Sequence, residues 1–106
     1  YLEKITQYSQ MRNMIDLSSN NSSKPTFKFF QNSLTHDLWM MNKNCKVINK
    51  NMDGYDGFYT SAKCSIYLLK DFFDKLKELK IYDNTKIIIA SDHGRFNMAT
   101  KNYNLP

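Results

Sequence analysis

The sequence predicts an α/β fold: a fragment of a larger parallel-sheet domain, with elements in the order helix, strand, loop, helix, strand. Three observations predict it. Ile87, Ile88, Ile89 and Ala90 form an uncharged apolar run, the pattern of a parallel strand buried on both faces. Residues 26–34, Thr-Phe-Lys-Phe-Phe-Gln-Asn-Ser-Leu, are rich in aromatics and suit a second strand. One strongly amphipathic helix lies between them, and strand–helix–strand is the βαβ pattern of a parallel sheet.

Taken in order, the first element is a modest helix. Leu2, Ile5, Tyr8, Met11 or Arg12, and Ile15 keep approximate helical spacing. The polar run at residues 18–25 ends in Pro25 and connects this helix to the strand at 26–34. Thr35, His36 and Asp37 close that strand, and the bulky Leu38, Trp39, Met40 and Met41 follow. Residues 42–57 lack periodicity, and Asp53-Gly54-Tyr55-Asp56-Gly57 marks a turn-rich loop crossing the top of the sheet. In the helix over 58–79, Ala62, Ile66, Leu69, Phe73 and Leu76 recur at intervals of four and three, widened by Leu68, Phe72 and Leu79. Its charges fall mostly on the other face, with Asp71–Lys75 and Asp74–Lys77 as expected ion pairs. Asp83-Asn84 turns the chain into the last strand, residues 86–91. The two strands are expected to be parallel and adjacent or next-but-one, with the helix on one face.

A chain of 106 residues makes one small domain at most. Two strands make a poor sheet, and both read as central, so neighbours on each side are expected. The expectation is therefore a partial domain spanning residues 1–106 and truncated at both ends, since Tyr1 is not an initiator Met and Asn104-Leu105-Pro106 ends without a terminating element. Its partner in folding would be the remainder of its own domain. The net charge is +5, but the lysines are scattered and only Arg12 and Arg95 are arginines, which argues against a nucleic-acid surface. Cys45 and Cys64, the only cysteines, are not in a CxxC spacing. Cys64 lies near the helix stripe as a small buried residue would; Cys45 lies in a polar loop, free or paired with Cys64. No stretch approaches the roughly 18 apolar residues of a membrane span, and no signal-peptide pattern is read in these residues; for a partial domain neither bears on the intact protein.

The candidate site lies at the strand ends. Asp92 and His93 directly follow the apolar run, where open α/β sheets place ligands. A carboxylate and an imidazole are good ligands for a divalent transition metal. Gly94 allows a sharp turn and keeps bulk away. The competing reading is a plain loop with Asp92 as a cap. His36, the second of only two histidines, closes the other strand. Parallel strands end on one edge, so His36 is expected to converge on Asp92 and His93. Taken alone, it fits an ordinary loop histidine equally well.

Lys86-Ile87-Ile88-Ile89-Ala90-Ser91-Asp92-His93-Gly94, preceded by an amphipathic helix that ends Leu-Lys-Glu-Leu-Lys-Ile-Tyr-Asp-Asn at residues 76–84, resembles the sulfatase domain of the alkaline phosphatase superfamily. The nearer likeness is to the bacterial branch of lipoteichoic acid synthases and phosphoglycerol or phosphoethanolamine transferases. Residues 27–39, with Thr35-His36 close to Trp39, are similar to that branch's strand ending in Thr-His; many relatives have Pro where Leu38 stands. The resemblance implies an alkaline phosphatase-like sandwich, metal ligation by Asp92 and His93, and contact of His36 with the substrate's phosphate group. It places the nucleophile and further ligands outside this chain. It implies one divalent ion, with Mn²⁺ or Zn²⁺ suiting the mixed donors better than Mg²⁺ or Ca²⁺. It also implies a phosphate- or sulfate-ester substrate, free or lipid-linked, and a membrane-anchored protein with an extracytoplasmic catalytic domain. A sulfatase of the same superfamily, or a degenerate domain that binds without catalysis, are the alternatives. Arg95 beside the motif would add positive charge, although a surface arginine is the commoner case.

Overall fold

Helix α1 spans Leu2–Asp16 and helix α2 spans Gly54–Glu78, followed by a short 3-10 turn at Tyr82–Asn84. The computed structural model describes residues 1–52 and 54–94. The expected α/β architecture is not what forms. Among the described residues there is no strand and no sheet; the one β-type pairing is an isolated antiparallel bridge between Met41 and Val47. Residues 26–33 and 85–91 carry no regular secondary structure, so the predicted parallel pair, and the packing of a helix upon it, are corrected to an all-helical arrangement. The physical reason is the non-local character of a sheet. A strand's hydrogen bonds close only on a partner, and fewer than three strands seldom hold in water. Phe27 is 90% exposed and Ile88 is 79% exposed, so neither segment has found one.

The helices close their hydrogen bonds locally and need only one apolar face. On α1 the buried positions are Lys4, Met11 and Ile15. Arg12 turns outward and pairs with Asp71 at 3.1 Å and Asp16 at 3.5 Å. On α2 they are Gly57, Ser61, Cys64, Leu68 and Leu76, a face rotated from the expected one, for Ile66 is 62% exposed. The helix is apolar on two sides: Tyr55, Tyr59, Ile66 and Tyr67 stand exposed. Periodicity alone therefore cannot choose which side meets the core. Of the expected ion pairs Asp74–Lys77 forms at 3.6 Å, whereas Asp71 takes Arg12 and Lys75 takes Glu78.

The core joins Met11 and Ile15 of α1 to Cys64 and Leu68 of α2, with Leu34 and Met41 set against them and Leu69 and Phe72 packed alongside. Residues 39–52 close on themselves: Met52 N donates to Trp39 O at 2.7 Å, and Ile48 N to Met40 O at 2.8 Å. A disulfide between Cys45 and Cys64 ties this loop to α2, resolving the question that spacing left open. α2 begins at Gly54, so the expected loop through residue 57 is its first turn. There Gly57 is required by space, since a Cβ would lie 1.9 Å from the carbonyl oxygen of Met52.

Candidate functional site

His36 sits on a turn held from several directions. Its backbone N–H donates to Ser33 O at 3.1 Å. Lys4 of α1 donates to Ser33 O at 2.7 Å and to His36 O at 2.8 Å. Ser33 N donates to Gln7 Oε1 at 3.1 Å, Asn32 Nδ2 to Gln7 O at 3.0 Å, and Ser33 Oγ to Glu3 Oε1 at 3.2 Å. Trp39 Nε1 donates to Thr35 O at 3.1 Å. Leu34, inside the same turn, is buried in the core. The imidazole itself is exposed, with Nδ1 at 3.0 Å from Asp37 O. A proton on Nδ1 suits that carbonyl and leaves Nε2 to accept in the neutral ring or donate in the cation.

Lys4 is the residue that sequence reasoning missed. It is 3% exposed. Burial pulls its ammonium below the usual lysine range, opposed by the nearby Glu3 and Asp37 carboxylates. The available signal was its spacing: Lys4, Met11 and Ile15 lie on one side of α1, so a lysine stands in line with an apolar stripe.

Asp92 and His93 form a local pair. His93 N donates to Asp92 Oδ1 at 3.0 Å, and His93 Nε2 lies 3.7 Å from Asp92 Oδ2. His93 Nδ1 is 2.8 Å from Gly94 O, and Ser91 Oγ donates to His93 O at 2.7 Å. The side chains are 87% and 65% exposed. Their chemistry fits a divalent ion, one anionic oxygen and one imidazole on the same short segment. Two donors do not complete a coordination sphere, and no group of three or more His, Cys, Asp or Glu that could hold an ion occurs among the described residues. Gly94 does not have a left-handed φ, and among the described residues a Cβ there would meet nothing within 4 Å. Among the described residues no hydrogen bond or ion pair joins His36 to Asp92 or His93. The convergence expected from parallel strands falls with the strands. Arg95 lies outside the described residues.

The cleft between the helices, lined by Ile15, Asp16, Asp71, Asp74, Lys75 and Glu78, is acidic, but its carboxylates are matched by Arg12, Lys70, Lys75 and Lys77. It is a solvated, charge-balanced surface. No described helix is long and apolar enough to cross a membrane. The chain matches no protein-family model, no curated protein and no solved structure.

Proposed function

We propose that this chain belongs to a divalent-metal enzyme acting on phosphate esters, a phosphoglycerol- or phosphoethanolamine-type transferase or hydrolase. The observation that carries the reading is Asp92 beside His93, a carboxylate and an imidazole whose nearest N and O atoms are 3.7 Å apart. They directly follow the apolar run that gives the motif its resemblance. In this reading Asp92 supplies the anionic ligand that balances the ion's charge, and His93 supplies a nitrogen. A divalent ion held by Asp92 and His93 would supply positive charge against the ester's oxygens and would make a hydroxyl a better nucleophile. His36, which no described contact joins to Asp92 or His93, is assigned by the resemblance alone to a non-bridging oxygen of the ester, which its Nε2 would hold while charge shifts onto it. The compartment proposed is oxidising and extracytoplasmic; the Cys45–Cys64 disulfide supports it.

Elemental analysis and turnover on the intact protein test the assignment. Asp92→Ala should lose both metal and activity. His36→Ala should keep the metal and lower turnover by roughly 10²–10³-fold, the size of a lost electrostatic stabiliser. Full metal occupancy in Asp92→Ala would remove the basis of the reading. Turnover of a sulfate ester in preference to a phosphodiester would move the assignment to sulfatases.

A further inference from the structure

Asp92 and His93 are held by bonds within residues 91–94, whereas His36 is held from the body of the fold. Helix α1 grips its turn through Lys4 and Gln7, and Trp39 closes it locally through Thr35 O. The central grip is an ammonium that has exchanged water for two carbonyls. Burying such a charge is costly unless its hydrogens are used. An apolar residue at position 4 would serve packing alone. What the charge adds is two strong, directed bonds to the backbone at Ser33 and His36. Firm support under an exposed acid–base side chain is what a site needs when geometry matters to its chemistry.

We propose that Lys4 is the positioning residue of His36: by bridging the carbonyls of Ser33 and His36 it fixes where the imidazole meets an oxygen of the phosphate ester. This rests on the assignment of His36 to substrate binding given above. Lys4 touches no reacting atom and acts only through the turn. Its loss should therefore change how well the ring meets the transition state, more than how much substrate binds.

The test compares the intact protein with Lys4→Met, which keeps the stem and removes the donors, and Lys4→Arg, which keeps donors. Two quantities are read: phosphodiester turnover, and the NMR signals of the His36 ring. Lys4→Met should lower kcat about tenfold while KM moves by less than about twofold, as for a displaced stabilising group. Lys4→Arg should restore most of the rate. The His36 Hε1 signal should be single and sharp in the wild type, and broadened or shifted in Lys4→Met. A folded Lys4→Met protein with unchanged kcat and an unchanged ring signal would overturn the proposal. So would a loss of kcat that Lys4→Arg deepens. If the wild type turns over no phosphodiester, the functional reading fails, and the ring signal alone decides whether Lys4 fixes His36. If Lys4→Met does not fold, Gln7→Ala takes its place. That variant cuts only the bond from Ser33 N; a smaller shift of the same signal supports the proposal and an unmoved signal counts against it.

Discussion

Lys4 and Gly57 show how single residues set the fold's tolerances. Lys4 has its proton affinity lowered by burial. The charged form carries the cost of desolvation in the folded chain and not in the unfolded one. Between the lowered folded pKa and the ordinary lysine value of 10.5, the unfolded chain binds more protons, so this group's contribution to stability rises with pH. A neutral amine still has two N–H groups for the two carbonyls. Urea unfolding at several pH values should therefore show wild type gaining on Lys4→Met as pH climbs toward 10.5. At neutral pH Lys4→Met should cost about 1–3 kcal/mol for the carbonyls it leaves unpaired. A difference that shrinks as pH rises would contradict the burial argument. Gly57→Ala offers a second check. Alanine favours a helix over glycine by about 1 kcal/mol, yet its Cβ would meet Met52 backbone at 1.9 Å. The variant should lose about 1–3 kcal/mol through the overpacked contact, measured by the same unfolding curves. The sequence offered Asp92 and His93 as candidates because a motif is a matter of adjacency. It hid Lys4, whose role depends on a turn 29 residues away in the chain.

At the scale of elements, local order was legible and long-range order was not. Both helices form where they were expected, and α2 spans most of the predicted 58–79, but on α1 the stripe holds only in part, since Leu2 is exposed and Lys4 is buried. The strands failed because aromatic and β-branched runs describe a surface that fits a sheet, not the partner that completes one. The same limit explains the rotated face of α2: two of its sides are apolar, and only the meeting with α1 and the loop at 39–52 chose between them. The disulfide belongs to that choice, since Cys64 lies in the core and Cys45 on the loop. Cys45→Ala with Cys64→Ala should therefore cost about 3 kcal/mol, the size expected for cross-linking a loop of this order. It should also raise amide exchange in residues 39–52 more than in α2. Equal protection with and without the bond would mean that the loop's backbone hydrogen bonds hold it unaided. Arg12→Ala, by contrast, should cost less than about 1 kcal/mol, because its pairs with Asp16 and Asp71 are exposed.

Among the described residues, leaving aside exposed positions on and beside the helices such as Leu2, Leu17 and Ile66, the apolar groups divide into two populations. One is the small core around Met11, Ile15, Leu34, Met41, Cys64 and Leu68. The other stands in water on the two irregular segments: Phe27 and Phe29 before the core, and Ile88 and Ile89 after it. Exposed runs of this kind, rich in β-forming residues and free of regular structure, are where chains associate. The lysines do little to prevent it, since only Lys28 and Lys86 lie within or beside these runs. Among the described residues, the helix content should therefore be that of α1 and α2, and association should be set by the segments outside them. Replacing Phe29 and Ile88 by Lys tests the separation. Circular dichroism at the helix band should stay unchanged, while light scattering should show less association at high protein concentration. Helix content that falls with these substitutions would mean that the segments support the core, and the division into two populations would be wrong.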